Sequence, residues 1–323
     1  MARCFVTRKL PGAGLERLAA VHTLDVWAES SPPGPEKLIE HAREADGLLS
    51  QLTERVDASL LDACPQLAAV ANYAVGVDNV DLAAASERGV PVGNTPGVLT
   101  EATADLAWAL MLSAARRLPE AERAMRGTAW SWEPDFLLGE ELSGATLGIV
   151  GMGRIGSAVA RRAEGFGMEV IHTSRGGGRG VPLDELLERS DFVSLHAPLG
   201  PDTLGLIGEP QLRRMKPHAI LVNTARGPLV DTDALVRALR EGWIAGAALD
   251  VTDPEPLPPR HPLFDCPGLA IAPHIGSATH RAREAMADLA VDNLLAALRG
   301  ERMPHCANPE VYELGTRPIR RTP

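Results

Sequence analysis

Cysteine is scarce in this sequence, and that scarcity excludes two kinds of small stabilised fold. The four cysteines are Cys4, Cys64, Cys266 and Cys306, which lie far apart and form no C-x-x-C pair. Disulfide frameworks and structural zinc sites need paired or closely spaced cysteines, so we expect neither. The nine histidines show no H-x-x-x-H spacing with a carboxylate partner either, and we predict no metal site.

Long apolar runs and an excess of positive charge are also missing. No apolar run approaches the ~18 residues that a membrane-spanning helix needs, and the first residues have the pattern of a strand, not of a signal peptide. The formal net charge is -10, with acidic and basic residues interspersed, which argues against a nucleic-acid surface. We therefore expect a cytoplasmic protein that binds neither membrane nor nucleic acid.

What the chain does contain is a regular alternation of strand-like and helix-like runs. Its 323 residues, 45% of them hydrophobic, suit two globular domains. The alternation predicts an α/β protein with parallel, doubly wound sheets. The predicted strands lie at residues 3–7, 46–49, 68–72, 145–150, 168–173, 192–196, 219–223, 246–251 and 269–272. The predicted helices lie at residues 14–20, 58–63, 82–88, 99–117, 154–164, 183–189, 211–215, 232–241 and 281–299.

A glycine-rich turn joins the strand at 145–150 to the helix at 154–164. Gly151 allows a tight turn, Gly153 lets a pyrophosphate approach the backbone, and Gly156 lets the helix pack closely on the strand. The helix N-terminus offers N–H groups and a positive dipole end to the phosphates. Because a strand precedes the turn and a helix follows it, the motif predicts a dinucleotide site. The alternative is that the three glycines serve only a tight turn.

The end of the next strand indicates which dinucleotide binds. An acidic residue there would bind the adenosine ribose hydroxyls and select NAD, but Ser174 and Arg175 occupy the place, and Arg179 follows after three glycines. A hydroxyl and a guanidinium suit a 2′-phosphate. We predict that NADPH is preferred and that NADH remains possible. The alternative is that Arg175 is solvated and the protein accepts both cofactors.

Three further strand ends carry residues suited to the reduction of a 2-keto acid. Arg226 follows one apolar strand and could grip a carboxylate with two parallel hydrogen bonds. Asp250 ends a second strand, and Glu255 lies just beyond it between two prolines. His274 follows a third strand and suits a proton donor near neutral pH, with Glu255 stabilising its imidazolium form. Taken singly, each could be a solvated or structural residue. Together with a hydride source they supply a carboxylate anchor and a proton.

In these motifs the chain resembles the D-2-hydroxyacid dehydrogenase family over nearly its whole length, and within it the glyoxylate/hydroxypyruvate reductases most. The family resemblance is carried by residues 75–79, 94–97, 148–156, 223–227, 249–256 and 273–279. The similarity to the reductases is carried by residues 116–121, 130–134, 250–258, 273–280 and 294–304.

The resemblance implies a Rossmann cofactor domain at residues 98–284, inserted into a flavodoxin-like substrate domain formed by residues 1–97 and 285–323. It implies an enzyme that reduces glyoxylate and hydroxypyruvate to glycolate and D-glycerate with NADPH. It also implies a homodimer joined through the cofactor domains, in which Trp132 reaches toward the partner's active site. The alternative is that Trp130 and Trp132 only fill the dimer interface.

Motifs and resemblance together assign the site residues. The catalytic residues expected are Arg226, Glu255 and His274. The residues expected to bind the cofactor are Thr103, Gly151, Gly153, Arg154, Ile155, Gly156, Ser174, Arg175, His196, Ala197, Pro198, Thr203, Thr224, Ala225, Arg226, Asp250, His274 and Gly276. The residues expected to bind the substrate are Leu52, Val75, Gly76, Trp132, Arg226, His274 and Ser277, of which Val75 and Gly76 would offer backbone N–H groups to its carboxylate.

Two other functions remain open at the level of sequence. One is a D-2-hydroxyacid dehydrogenase for another 2-keto acid, because the sequence does not determine the size of the pocket that accepts the side chain. The other is a cofactor-sensing protein similar to the corepressors related to this family, which keep the catalytic residues. Turnover separates the two, since a pure sensor binds nucleotide with negligible kcat.

Overall fold

Two units of the chain each carry their own parallel sheet. The computed structural model describes residues 1–127, 130–173 and 180–317. The strands are β1 (Arg3–Val6), β2 (Thr23–Val26), β3 (Gly47–Ser50), β4 (Ala69–Asn72), β5 (Val92–Gly93), β6 (Thr146–Val150), β7 (Glu169–Thr173), β8 (Phe192–Leu195), β9 (Ile220–Asn223), β10 (Gly246–Leu249) and β11 (Leu269–Ile271). The helices are α1 (Gly14–Ala19), α2 (Pro35–Ala42), α3 (Ala58–Ala63), α4 (Leu82–Glu87), α5 (Thr100–Ala115), α6 (Leu118–Arg126), α7 (Arg154–Ala163), α8 (Leu183–Arg189), α9 (Glu209–Arg214), α10 (Thr232–Glu241), α11 (His280–Leu298) and α12 (Val311–Leu314).

The boundaries of the two units differ from the predicted domain boundaries. The first unit comprises Met1–Leu99 and Ser277–Pro323, and the second comprises Thr100–Gly276. The chain thus returns to the first unit at Ser277, earlier than the predicted residue 285. The reason is that the first turns of α11 already pack in the first unit, where the Tyr73 hydroxyl donates to the Arg283 carbonyl at 2.7 Å.

The first unit has the strand order β2-β1-β3-β4-β5 with all strands parallel, which is the flavodoxin-like order. Its inner strands β3 and β4 are buried along their whole length, as a parallel sheet covered on both faces requires. The sequence prediction missed β2, β5, α2 and the short α12. The partly exposed β2 lies at the edge of the sheet and β5 has only 2 residues, so neither gives a clear apolar run.

The second unit has the order β11-β10-β9-β8-β6-β7, again all parallel. Apolar side chains from its inner strands enter two separate buried clusters: Val150 and Leu221 belong to one, and Ile149 and Val222 to the other. This alternation shows that helices cover both faces of the sheet, and it confirms the predicted doubly wound α/β fold. β6 pairs with β7 on one side and with β8 on the other, so the direction in which successive strands are added to the sheet reverses at β6. The crevice expected to hold a ligand therefore lies beyond the carboxyl ends of these strands.

The long helix predicted at 99–117 is α5, and a second helix, α6, which the sequence did not predict, follows it directly. α5 ends at Ala115 and α6 begins at Leu118, with Arg117 between them in the left-handed region at φ 50°. Pro119 lies in the first turn of α6, where its missing N–H costs no helical hydrogen bond. In the part of the chain that the structure describes, no helix is both long and apolar enough to cross a membrane.

Candidate active site

The glycine-rich turn lies between β6 and α7 and is closely packed at two of its glycines. Gly151 has a φ of +99°, and a Cβ there would lie 2.8 Å from backbone atoms of His196 and Ala197, which follow β8. A Cβ at Gly156 would lie 2.1 Å from the Gly151 carbonyl oxygen. Neither position can therefore take a larger residue without moving the backbone.

The third glycine of the turn, Gly153, faces open space. No described atom lies within 4 Å of the position that its Cβ would take, and no described side chain caps the N-terminus of α7. Beyond β9, the Thr224 hydroxyl is buried and has no hydrogen-bond partner among the described residues. An open glycine, an uncapped helix N-terminus and an unpartnered buried hydroxyl suit the phosphates and polar groups of a dinucleotide.

The predicted adenosine side of the site is described only in part. β7 ends at Thr173, whereas Ser174 and Arg175 lie outside the described residues. Beyond β8, the His196 Nε2 lies 2.8 Å from the Ser194 hydroxyl. Burial lowers the pKa of His196 to about 4, so its imidazole is neutral near pH 7.

Thr203 closes the loop that follows His196. Its hydroxyl accepts the Gly200 N–H at 2.8 Å and donates to the Pro198 carbonyl at 2.7 Å. Thr203 thus holds in place the loop that carries Pro198, another of the residues predicted to bind the cofactor.

The three predicted catalytic residues follow neighbouring strands of the second sheet. Arg226 follows β9, Glu255 follows β10 and His274 follows β11, and the sheet runs β11-β10-β9 at this end. Because the strands are parallel, their carboxyl ends share one edge of the sheet. The strand order therefore delivers all three side chains to the same edge.

Arg226 is held at the tip of a turn by residues for which no role was predicted. The buried Asn223 donates its Nδ2–H to the Arg226 carbonyl at 2.8 Å and accepts the Ala225 N–H at 3.1 Å. A Cβ at Gly227 would lie 1.9 Å from the Thr252 carbonyl oxygen, so only glycine fits beside the loop that carries Glu255. Arg226 as a whole residue is half-buried, and its Nη1 donates to the Ala225 carbonyl at 2.7 Å.

Glu255 and His274 form a hydrogen-bonded pair, with Nδ1 and Oε1 2.6 Å apart. Burial alone would raise the pKa of Glu255, but the hydrogen bond and charge of His274, the Thr252 N–H and the charge of Arg226 together lower it. Glu255 is therefore ionised near neutral pH and accepts the Nδ1 hydrogen. Nε2 is then the imidazole atom that can hold and release a proton.

The buried carboxylate of Asp250 holds the His274 loop in place. Its two oxygens accept the N–H groups of Ile275 and Gly276, each at 2.7 Å, and its backbone carbonyl accepts the His274 N–H at 2.7 Å. These bonds keep His274 at φ 55°, a left-handed conformation that is costly for a residue other than glycine. Burial raises the pKa of Asp250, although the two N–H groups oppose that rise.

Thr103 lies close to the same loop. A Cβ at Gly276 would lie 3.1 Å from Asp250 Oδ2 and 3.3 Å from the Thr103 side chain. The structure thus brings together Thr103, Asp250 and Gly276, three of the residues predicted to bind the cofactor.

The remaining predicted substrate residues are divided between the two units. Val75 and Gly76 follow β4 in the first unit, Leu52 follows β3 with a 40% exposed side chain, and Ser277 begins the return segment. Trp132 belongs to the second unit and is 79% exposed.

Comparison with known proteins identifies a family. The model of the family described as D-isomer specific 2-hydroxyacid dehydrogenase, NAD binding domain, matches residues 108–276. This range includes the glycine-rich turn as well as Arg226, Glu255 and His274. A glyoxylate reductase of Korarchaeum cryptofilum (strain OPF8) is 50% identical over an alignment of 323 positions. The alignment covers 97% of this chain and 97% of that protein.

Two solved structures are similar to the chain along almost its whole length. A protein from Thermus thermophilus is 51% identical with a TM-score of 0.88, and the match covers 94% of this chain and 99% of that one. An NADPH-dependent glyoxylate/hydroxypyruvate reductase from Sinorhizobium meliloti, solved with NADP and malonate, is 36% identical with a TM-score of 0.82, covering 95% and 97%.

Proposed function

The chain belongs to the D-isomer-specific 2-hydroxyacid dehydrogenase family, and on that premise we propose that it reduces glyoxylate and hydroxypyruvate with NADPH as the preferred reductant. The observation that carries the proposal is the His274–Glu255 pair, 2.6 Å apart, on the same sheet edge as Arg226. The names of the relatives support the substrates, since one is a glyoxylate reductase and another a glyoxylate/hydroxypyruvate reductase.

Each catalytic side chain receives one role in this proposal. Arg226 binds the substrate carboxylate through two parallel hydrogen bonds. His274 releases the Nε2 proton to the carbonyl oxygen of the substrate, and the ionised Glu255 stabilises the imidazolium form that does so. The bound nicotinamide supplies the hydride. Backbone N–H groups of Val75 and Gly76 also bind the substrate carboxylate, and Leu52 and Ser277 contact the substrate.

The cofactor residues are proposed in three groups. The turn at Gly151, Gly153 and Gly156 binds the pyrophosphate together with Arg154 and Ile155. The second group lies at the nicotinamide and comprises Thr103, Thr224, Ala225, Asp250 and Gly276. The third group lies at the adenosine and comprises Ser174, Arg175, His196, Ala197, Pro198 and Thr203.

A panel of 2-keto acids, each assayed with NADPH and NADH, tests substrate and cofactor together. We expect the highest kcat/KM for glyoxylate and hydroxypyruvate with NADPH. Replacing Arg175 by aspartate should lower kcat/KM with NADPH about 10- to 100-fold, because a charge-assisted hydrogen bond contributes roughly 1.5–3 kcal/mol, while kcat/KM with NADH should not fall.

A charge-matched control separates phosphate binding from a general change of charge. Arg123→Asp makes the same change of charge on the exposed surface of α6 and should leave the cofactor preference as it is. A higher kcat/KM with NADH than with NADPH in the wild-type enzyme would refute the cofactor assignment.

We also propose a homodimer in the cytoplasm, joined through the cofactor domains, with Trp132 completing the partner's active site. The exposed apolar residues Trp130, Trp132, Phe136 and Leu138 follow one another closely in the second unit. Such a concentration of exposed apolar side chains is typical of a surface that is covered in an assembly.

Hybrid dimers test whether Trp132 acts across the interface. Trp132→Ala should raise KM for the keto acid, and His274→Asn should lower kcat about 10²- to 10⁴-fold. If Trp132 serves the partner's site, a hybrid of the two variants contains one site with both wild-type residues and regains the wild-type KM. A hybrid that keeps the raised KM would show that Trp132 acts within its own subunit or only fills the interface.

A further inference from the structure

Glu54 is a buried acidic residue at the carboxyl end of the first sheet, outside all the residues assigned above. Only 2% of it is exposed. Its carboxylate accepts the Thr7 hydroxyl at 2.5 Å, the Gln51 N–H at 2.7 Å and the Thr53 hydroxyl at 2.5 Å. A carboxylate removed from water is costly unless such bonds replace its hydration. The bond from Thr7, which follows β1, ties the loop at 51–54 to that strand end, and the other two bonds hold the loop itself together.

The same network continues into the loop that follows β4. The Nδ2 of Asn79 donates to the carbonyl groups of Gln51 at 2.9 Å and Glu54 at 2.8 Å. The Nδ2 of Asn72 donates to the Gly76 carbonyl at 3.0 Å and lies 3.1 Å from Asn79 Oδ1. A continuous chain of hydrogen bonds thus joins Glu54 to the backbone of Gly76.

The two loops in this network carry the proposed substrate contacts of the first unit. One contains Leu52, and the other contains Val75 and Gly76. Backbone N–H donors are effective only if they are in place before the anion arrives, because a displacement of about 1 Å can cost as much as 10²-fold in rate. A buried anchor under both loops is therefore suited to keeping these donors in position.

We propose that Glu54 is a positioning residue for substrate binding, which sets the conformation of the Leu52 loop and, through Asn79 and Asn72, of the Val75–Gly76 backbone. The inference rests on the proposed function, since it presumes that these N–H groups bind a keto-acid carboxylate. All the members of the network lie in the first unit, outside the residues 108–276 that match the NAD-binding family. The effect should therefore fall on the keto acid and not on the cofactor.

Glu54→Gln keeps the shape of the side chain and removes its charge. We expect KM for the keto acid to rise about 10- to 100-fold, with KM for NADPH unchanged and kcat changed less than KM. Backbone amides of residues 74–77 should exchange hydrogen for deuterium faster than in the wild type, while those of β3 and β4 keep their protection.

Thr7 provides a second pair of variants, which serves if Glu54→Gln does not fold. Thr7→Val removes only the hydroxyl that donates to Glu54 and keeps the size of the side chain, so it should shift KM in the same direction. Thr7→Ser restores the hydroxyl and should restore the wild-type KM.

Asn308 supplies a matched structural control in the same unit. It is 1% exposed, donates to the Ser86 hydroxyl and the Val90 carbonyl at 3.0 Å each, and accepts the Val92 N–H at 2.8 Å. Asn308→Ala should lower the thermal stability without changing KM. If Glu54 were merely structural, Glu54→Gln would behave like this control.

The outcomes separate this inference from the proposed function. A wild-type enzyme that reduces no 2-keto acid overturns the proposed function, and the exchange of residues 74–77 then still reports whether Glu54 holds the loop. A wild-type enzyme that reduces glyoxylate, combined with an unchanged KM in both Glu54→Gln and Thr7→Val, overturns the positioning role alone.

Discussion

Replacing His274 by asparagine is expected to lower kcat about 10²- to 10⁴-fold, the range that a positioned general acid contributes. Asparagine suits the test because it tolerates the left-handed backbone conformation found at φ 55° better than most residues do. The hydrogen bonds that the following two N–H groups donate to Asp250 should therefore survive. Steady-state kinetics with glyoxylate and NADPH provide the measurement, and nucleotide binding should remain close to that of the wild type.

Glu255→Gln is the companion to that variant, because it keeps an acceptor for the His274 Nδ1 hydrogen but removes the negative charge. We expect a smaller loss of kcat than in His274→Asn. The loss should arise because the imidazolium form of His274 no longer has a negative charge beside it. Wild-type kcat in His274→Asn would contradict the role of proton donor, whatever Glu255→Gln does.

The second sheet could be predicted almost strand by strand from the sequence. Its inner strands are buried on both faces and are rich in apolar residues. One example is the predicted strand 219–223, which the structure shows as Ile220–Asn223. The edge strand β2 was missed because three of its four residues are only half-buried and the fourth is exposed. Burial on both faces, more than strand propensity, made a strand recognisable.

The chemistry of the candidate site could be anticipated because Arg226, Glu255 and His274 each follow a strand end and are of reactive types. The residues that hold these three side chains in place could not be anticipated in the same way. Asn223 binds the backbone of its own turn, but Asp250 binds N–H groups 25 and 26 residues further along the chain. Such contacts depend on which strands are neighbours, and no local spacing in the sequence reports that.

The burial of Glu54 could not be predicted from the sequence either. An acidic residue in a loop is ordinarily solvated, and the sequence places Glu54 among polar neighbours between a strand and a helix. Only the tertiary structure shows that Thr7, which follows another strand, turns this position into a buried acceptor. Function is therefore easiest to predict where a residue touches the ligand, and hardest where it acts through other residues.

Replacing Arg226 by lysine is expected to raise KM for the keto acid and to lower kcat/KM about 10- to 100-fold, although the positive charge remains. Lysine is a point charge, whereas the guanidinium can donate two parallel hydrogen bonds to a carboxylate. Each hydrogen bond to a charged group contributes roughly 1.5–3 kcal/mol. Losing one of the two parallel hydrogen bonds should therefore lower kcat/KM more than about tenfold. The turn itself should persist, because Asn223 bonds to the backbone of residue 226 and not to its side chain.

Chemical rescue distinguishes a lost substrate contact from a disturbed fold. In Arg226→Ala, added guanidinium at concentrations well below those that denature the enzyme should restore part of kcat/KM, because the vacated space lies beside the same carboxylate. Guanidinium should not rescue His274→Asn, which lacks a proton donor and not a cation. If Arg226→Lys kept the wild-type KM and kcat, the carboxylate of the substrate would have to bind elsewhere, and the backbone N–H groups of Val75 and Gly76 would be the donors to test next.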